Sequence, residues 1–341
     1  MPHSVAFDMN QKITIQDIAN QANVSKATVS RVLNNSSPVD EKKRSAVMKA
    51  MKKLDFKPNL FARTLAGGRS MTLGIVTQNI GSPFYDSVTQ GVTKELSTTE
   101  YSPIIADGQW SQDLEKEAIA TLVDRQVDGL IMVGGDLDAE ALEEARRNVP
   151  TVLVARRLEG WEDRSIQIDN IAAGKMATDF LIESGHRNIA HVTGIQDHQD
   201  SIDRTAGYLQ SLAEAGIKIN ESLIIPGNFS GQSGVLAIET LLLRGTPFTA
   251  IFAANDEVAM GIRLALFRKG IRVPEDVSIV GFDNQPSSAF MTPPLTTISQ
   301  PAIEMGQAAS RMLVGILKNQ AGKLPTFNGE LVIRESVTPP R

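Results

Sequence analysis

Residues 13–34 read ITIQDIANQANVSKATVSRVLN, a stretch that predicts two short helices joined by a tight turn. Thr14 and Asp17 have the spacing of an N-terminal capping box, which begins the first helix. Asn23 falls in the turn, where the backbone needs a positive φ that asparagine tolerates better than most residues. Ser25 then caps the second helix. The stretch therefore predicts a helix-turn-helix, completed by a third helix from about residue 40.

The outward face of the second helix carries side chains whose chemistry suits DNA. Arginine pairs with the O6 and N7 atoms of guanine, lysine does so less rigidly, and alanine contacts the thymine methyl group. Short hydroxyl and amide side chains suit phosphate oxygens. The alternative is a small helical bundle with a polar surface that binds nothing. We expect base contacts from Lys26, Ala27 and Arg31, and phosphate contacts from Thr14, Ser25, Thr28 and Asn34.

Charge is distributed unevenly along the 341 residues. Residues 1–70 hold twelve Lys and Arg against five Asp and Glu, which is a net charge of +7, whereas the net charge of the whole chain is -5. A basic segment joined to an acidic body is typical of a nucleic-acid-binding module fused to another domain, although a basic solvated face gives the same balance. The absence of cysteine excludes disulfides and thiolate zinc sites. Without a signal peptide or a long apolar run, we expect a cytoplasmic protein and no membrane contact.

From residue 73 onward, short apolar runs alternate with amphipathic segments. That alternation predicts right-handed βαβ units in two doubly wound lobes, each built on a parallel sheet. We expect strands of the first sheet at 73–78, 102–106, 129–134 and 151–155, and strands of the second sheet at 188–194, 222–227, 249–255 and 277–283.

The opening stretch, followed by FKPNLFARTLAGGRS at residues 56–70, resembles the head of the LacI/GalR family of bacterial repressors, and the resemblance continues to the C-terminus. It implies an α/β core like that of periplasmic sugar-binding proteins, with two lobes, three crossovers near residues 160, 293 and 321, and a ligand in the cleft. It also implies a hinge helix between Asn59 and Ala66 that orders only on operator DNA. Leu65 would wedge into the minor groove at the operator centre. A plain interdomain linker is the alternative for this segment.

The resemblance and the patterns together give one domain organisation. We expect a flexible tail at 1–11, a helix-turn-helix domain at 12–58, a hinge helix and linker at 59–70, and an effector-binding and dimerisation domain at 71–341. Within the last domain, the first lobe is expected at about 71–160 and 295–320, and the second lobe at about 161–292 and 322–341.

Several polar or aromatic residues follow predicted strands directly, at the edge where open parallel sheets bind ligands. The resemblance adds an arginine and a stacking ring, here Arg204 and Phe229, which suit the hydroxyls and the C–H face of a sugar. Helix capping is the alternative role for the carboxylates among them. We expect the effector site to contain Ser82, Phe84, Tyr85, Asp107, Arg204, Phe229, Asn255, Asp256 and Asp283.

Two features leave questions open. Where relatives often carry Asp or Asn after the fourth strand, this chain has Ala155 followed by Arg156 and Arg157, so an anionic group on the ligand is one interpretation. Trp110 either lines the mouth of the cleft or packs as a half-exposed side chain.

The sequence thus predicts a repressor of a carbohydrate-utilisation operon, controlled by a sugar or glycoside, with no catalytic residues, cofactor or metal. We expect a homodimer on a pseudo-palindromic operator, since no leucine-heptad helix, which makes some relatives tetramers, follows the last strand. One alternative is a global catabolite regulator of the same fold that responds to a phosphocarrier protein, and another is a nucleoside- or purine-responsive repressor. A solute-binding protein is disfavoured by the helix-turn-helix, and a nicotinamide-dependent enzyme by the missing G-x-G-x-x-G motif.

Overall fold

The computed structural model describes residues 13–34, 38–56, 69–320 and 322–341. These residues divide into two compact units, with the boundary between Ser70 and Met71. The expected flexible tail at 1–11 and the expected hinge helix at 59–66, with Leu65, lie outside the described residues. Within the described ranges, no helix is long and apolar enough to cross a membrane.

The described part of the first unit contains the helices α1 (Ile15–Ala22), α2 (Lys26–Asn34) and α3 (Glu41–Lys53). The predicted capping box is confirmed, because the Thr14 hydroxyl accepts a hydrogen bond from Asp17 N–H and the Asp17 carboxylate accepts one from Thr14 N–H at 2.8 Å. Asn23 ends α1 with a φ of 52°, so the predicted left-handed turn is confirmed as well.

A small apolar core holds the three helices together. Ile18, Val29 and Val47, one from each helix, are fully buried. Ala19, also buried, is small enough to let the helix axes approach closely. Helices of this length are marginal in water on their own, so the unit depends on this shared core.

The second unit begins with a five-stranded parallel sheet, which together with its helices forms the first lobe. Its elements are β1 (Thr72–Thr77), α4 (Pro83–Leu96), β2 (Ser102–Asp107), α5 (Gln112–Asp124), β3 (Gly129–Val133), α6 (Ala139–Asn148), β4 (Thr151–Val154) and β5 (Ser165–Ile166). The strand order is β2-β1-β3-β4-β5. Ile75, Ile131 and Val152 are fully buried, as expected for strands of a parallel sheet that is covered on both faces.

The second lobe is built on a six-stranded sheet. Its elements are α7 (Asn170–Glu183), β6 (Ile189–Val192), α8 (Gln199–Glu214), β7 (Ile224–Ile225), α9 (Gly231–Arg244), β8 (Ala250–Ala253), α10 (Asp256–Arg268), β9 (Ser278–Asp283), β10 (Thr296–Ser299) and β11 (Glu330–Val332). The strand order is β11-β10-β9-β8-β6-β7, and only β11 among these strands runs antiparallel to its neighbour. The two lobes predicted from the alternating pattern are therefore present.

The lobe bounds differ from those expected. The second lobe was expected from residue 161, yet β5 pairs with β4 in the first sheet. The segment 295–320 was expected in the first lobe, yet β10 pairs with β9 in the second sheet. The chain therefore crosses after β5, crosses back after β10 so that α11 (Ala302–Leu317) packs against α4, and crosses again to β11. The strands involved are too short to give a readable periodicity.

A histidine is buried inside the second lobe. His191 on β6 is stacked on the Phe252 ring at a centroid distance of 4.7 Å and lies beside the Tyr208 ring. Its Nδ1–H donates to the carbonyl oxygen of Phe252 at 3.0 Å, and its Nε2 lies 3.1 Å from the Thr205 hydroxyl oxygen. Burial lowers the pKa of His191 to about 4, so the ring is neutral at physiological pH.

We predict that this histidine makes the protein less stable in acid. The folded-state pKa of about 4 lies below the ordinary value of 6.5, so the unfolded chain binds more protons between these two pH values. The stabilisation is therefore complete above pH 6.5 and is lost as the pH falls toward 4, by about 3 kcal/mol in total. Urea unfolding of the wild type and of His191→Gln across this pH range measures the effect. A free-energy difference between the two proteins that does not change with pH would contradict it.

Candidate functional site

A cavity opens between the two lobes of the second unit, at the carboxyl ends of strands from both sheets. Asn79 follows β1, Asn255 follows β8 and Gln300 follows β10. This edge is where open α/β sheets bind ligands. The lining residues are Asn79, Ser82, Phe84, Tyr85, Trp110, His198, Asp200, Arg204, Asn228, Phe229, Ser230, Asn255, Glu257, Asp283 and Gln300.

Most of the effector-site residues predicted from the sequence line this cavity. They are Ser82, Phe84, Tyr85, Arg204, Phe229, Asn255 and Asp283. Sequence reasoning missed Asn79, although it follows the predicted strand at 73–78, which is the same signal that identified Asn255. It missed Gln300 because the short strand β10 before it was not predicted. It also missed Asp200 and Glu257, because an acidic residue in the first turn of a helix is ordinarily explained by the helix dipole. The remaining missed residues are Trp110, left open by the sequence, and His198, Asn228 and Ser230.

Asp107 was predicted to contact the effector, but it does not line the cavity. Its carboxylate accepts hydrogen bonds from Ile80 N–H at 3.2 Å and from Gln109 N–H at 3.0 Å. It therefore ties together the loops that follow β1 and β2. The backbone N–H groups of these two loops therefore occupy both carboxylate oxygens of Asp107.

Asp256 is the second predicted contact that the structure places elsewhere. It is fully buried and accepts hydrogen bonds from Gln285 N–H, the Ser288 hydroxyl and the Thr297 hydroxyl, the last at 2.6 Å. Burial raises the pKa of Asp256 to about 6, and these donors oppose the rise. Its role is to hold the loop after β9 against β10.

Arg204 forms the polar base of the cavity in the second lobe. Its guanidinium lies over the Phe282 ring, 3.6 Å from the centroid. Its Nε donates to Asn170 Oδ1 at 2.9 Å, and its Nη1 donates to the carbonyl oxygen of Ala254 at 2.6 Å. The carboxylate of Asp283 lies 4.0 Å from Nη1 as well. The arginine is therefore fixed before any ligand arrives.

Asp283 ends β9 in a backbone conformation that non-glycine residues rarely adopt. Its φ is 104°, and Asn284 follows with a φ of 54°. Such strain persists where the surrounding structure imposes it, and it is common at ligand sites. The Asp283 carboxylate accepts a hydrogen bond from Gln300 Nε2 at 2.7 Å. Burial raises the pKa of Asp283 to about 7, and the nearby Arg204 guanidinium opposes the rise.

An aromatic wall crosses the cavity from one lobe to the other. Successive ring centroids lie 5.4, 5.6, 5.1 and 5.8 Å apart, and each pair packs edge to face. This edge-to-face packing is favourable. The wall consists of Phe84, Tyr85 and Trp110 from the first lobe and His198 and Phe229 from the second lobe.

Arg156, the residue that raised the question of an anionic ligand, is not among the lining residues. Its guanidinium is buried, and Nη1 lies 3.2 Å from Glu115 Oε1. It also donates to the carbonyl oxygens of Gly134 and Leu137. Arg156 therefore fixes the loop after β3 within the first lobe.

The helix-turn-helix unit exposes the residues predicted to read DNA bases. Lys26, Ala27 and Arg31 are exposed on α2. Of the predicted phosphate contacts, Thr14 is exposed and caps α1, while the Ser25 hydroxyl accepts a hydrogen bond from Thr28 N–H at 3.1 Å. The side chain of Asn34 and all of Leu65 lie outside the described part of the chain.

Comparisons with known proteins agree with this two-part architecture. The family model "Bacterial regulatory proteins, lacI family" matches residues 14–59, and the model "Periplasmic binding protein-like domain" matches residues 178–337. Catabolite control protein A of Priestia megaterium is 34% identical over 310 residues, which cover 90% of this chain and 93% of that protein. The chain belongs to the LacI family.

Two solved structures match nearly the full length of the chain. The Lac repressor dimer bound to operator and the anti-inducer ONPF superposes with a TM-score of 0.85 at 28% identity, covering 96% of this chain and all of that chain. The transcriptional regulator CelR in complex with cellobiose superposes with a TM-score of 0.72 at 32% identity, covering 95% of this chain and 99% of that chain. This LacI-family regulator therefore combines a DNA-binding head with an α/β core of two lobes. Among its described residues, no group of three or more acidic or histidine side chains could hold a metal ion.

We predict that Asp256 is needed for stability. Asp256→Ala should lower the free energy of unfolding by about 3 kcal/mol, because three buried donors lose their acceptor. Asp107→Ala, whose carboxylate is less buried, should cost less than about 1 kcal/mol. Urea denaturation of both variants measures the difference. Wild-type stability in Asp256→Ala would show that its buried hydrogen bonds do not hold the loop.

Proposed function

We propose that this LacI-family regulator is a dimeric repressor of a carbohydrate-utilisation operon, whose hold on operator DNA is controlled by a sugar-like effector in the cleft between its lobes. The observation that carries the proposal is the cavity itself, where an arginine, carboxylates and amides meet the aromatic wall. Polar groups of this kind pair ligand hydroxyls, and aromatic rings cover the apolar face of a sugar. The regulator acts on the chromosome in the cytoplasm and catalyses no reaction of its own.

The DNA-binding surface is proposed to be the exposed face of α2. Lys26, Ala27 and Arg31 would read base edges in the major groove, as the second helix of a helix-turn-helix does. The phosphate contacts would come from Thr14, Ser25, Thr28 and Asn34. Leu65 would insert into the minor groove at the centre of a pseudo-palindromic operator. The Lac repressor dimer, which was solved bound to operator, supports operator DNA as the partner of this head.

An apolar stripe on α10 supports a dimer. Met260, Leu264 and Phe267 follow helical spacing, and each is at least 44% exposed, with Phe267 reaching 77%. Phe290, in the loop after β9, is 86% exposed as well. A second copy of the chain that covers such residues gains the free energy of their burial.

The effector is proposed to bind through groups that the protein already holds in place. Asp283 and Asn255 would accept or donate hydrogen bonds to ligand hydroxyls, Arg204 would donate, and Phe229 would cover the ring. The complex of CelR with cellobiose supports a sugar as ligand. Because the cavity is formed by both lobes, a ligand that binds one relative lobe position better than another shifts that equilibrium, and with it the affinity for DNA.

A global catabolite regulator is a second candidate, favoured by the similarity to catabolite control protein A. The two candidates differ in the number of sites they bind. An operon-specific repressor occupies one or a few operators, whereas a global regulator occupies many. Genome-wide mapping of bound DNA separates them.

We predict that Arg31 reads one base pair. Arg31→Ala should weaken binding to the cognate operator by about 1–3 kcal/mol and relax the choice of base at one position, because the paired guanine loses its donor. Anisotropy titrations at fixed salt, with the operator that the wild type selects from random DNA, measure both effects. Lys53→Ala, an exposed basic residue on α3, is the control and should preserve base choice. An equal loss on cognate and random DNA would assign Arg31 to the phosphates.

We predict that Asp283 couples the effector to DNA. Asp283→Ala should weaken effector binding by about 1–3 kcal/mol, because a ligand hydroxyl loses its partner in a buried site. Operator binding without effector should be unchanged. The probe is the sugar that gives the largest thermal shift with the wild type, and operator release is followed by anisotropy. Asp276→Ala, an exposed carboxylate of the same lobe, is the matched control. If the effector releases Asp283→Ala from operator DNA as readily as it releases the wild type, Asp283 is not part of the effector site.

A further inference from the structure

The charged side chains that line the cavity are mostly acidic. Asp200, Glu257 and Asp283 contribute carboxylates, and Arg204 contributes a guanidinium, while the described lining contains no lysine and no second arginine. Clefts lined by one sign of charge concentrate their field on a ligand, so this balance bears on which ligands can enter.

The guanidinium of Arg204 is already compensated by the protein. Asp200 and Asp283 lie 3.9 and 4.0 Å from its Nη atoms, and the side chain is only 4% exposed. The carbonyl oxygen of Ala254 and the amide oxygen of Asn170 accept two of its N–H groups. Arg204 therefore offers hydrogen bonds to a ligand but no excess positive charge.

Arg156, a basic residue outside the lining, carries no unpaired charge. Its guanidinium is paired with Glu115 and donates to the carbonyl oxygen of Gly134. His198 does line the cavity, but burial lowers its pKa, and the facing Arg204 lowers it further, while Asp200 opposes both effects. At neutral pH the imidazole therefore carries no charge.

The neutral polar groups of the cavity are matched to hydroxyls. His198 Nδ1 is buried and has no hydrogen-bond partner among the described residues. A hydroxyl can satisfy this atom in either tautomer, because it both donates and accepts. Asn79, Asn228, Ser230 and Gln300 line the same cavity and offer further donors and acceptors.

We propose that the cleft selects an uncharged polyhydroxyl ligand, one hydroxyl of which pairs with His198, and excludes its phosphorylated or otherwise anionic counterparts. A phosphate group in this cavity would lose its hydration beside the carboxylates of Asp200 and Glu257, and the described lining offers no unpaired cation to replace the water. The proposal deepens the proposed function, because it rests on the cleft being the effector site.

Matched pairs of ligands test the selection. Calorimetric titrations at pH 7.5 compare glucose with glucose 6-phosphate, cellobiose with its 6-phosphate, and adenosine with AMP. In each pair the uncharged member is expected to bind at least tenfold tighter. A phosphate ester that binds as tightly as its uncharged partner, and competes with it, would overturn the proposal. If adenosine binds while the sugars and AMP do not, charge selection stands and the sugar of the proposed function is wrong.

Isosteric variants separate charge from shape. Asp200→Asn combined with Glu257→Gln keeps the cavity volume but removes two negative charges, so the discrimination against the ester should fall at least fivefold. Glu239→Gln, an exposed carboxylate on α9, is the control and should preserve it. Discrimination that stays unchanged in the double variant would mean that shape excludes the ester, and the electrostatic proposal would be wrong.

The variant His198→Phe keeps a ring in the aromatic wall but has no hydrogen-bonding atom. It should bind the uncharged ligand at least fivefold more weakly than the wild type. Wild-type affinity in this variant would show that no ligand hydroxyl pairs with His198.

Discussion

A guanidinium withdrawn from water must find its partners within the protein, and Arg204 meets this requirement with groups from four elements of the second lobe. Asn170 comes from α7, the carbonyl oxygen of Ala254 from the end of β8, and the carboxylates of Asp200 and Asp283 from α8 and β9. Satisfying one charge therefore fixes the relative positions of these elements at the cavity. The first lobe follows the same rule, because its buried Arg156 is satisfied by Glu115 and by carbonyl oxygens.

The cavity also concentrates backbone strain. Trp110, Phe229 and Asp283 all have positive φ values, of 56°, 65° and 104°, although none of them is glycine. Each such residue costs of order 1–3 kcal/mol, which the packed strands behind it must supply. The strained backbone directs two rings and one carboxylate toward the same space. The rigid sheets and the strained loops thus form one system, in which the stable part holds the functional part in shape.

Features set by residues close together in the sequence could be predicted, whereas features set by residues far apart in the sequence could not. The capping box of Thr14 and the turn at Asn23 are set by residues within one helical turn, so both could be read directly. Asn255 and Asp283 could be predicted because a strong apolar strand precedes each. Asp256 could not be placed correctly, since its direction is decided by Ser288 and Thr297, about 30 and 40 residues further along the chain. The aromatic wall and the short strands β5 and β10 likewise depend on contacts that no local pattern records.

The position of Trp110 in the aromatic wall has an optical consequence. The chain contains two tryptophans, and the other one, Trp161, is almost completely buried beneath Arg146 within the first lobe. Trp110 is half-buried, and its ring meets His198 of the opposite lobe at a centroid distance of 5.1 Å. A change in lobe position alters the surroundings of this indole while leaving those of Trp161 constant. The protein thus carries its own fluorescent reporter of lobe movement, with a steady internal reference in the same chain.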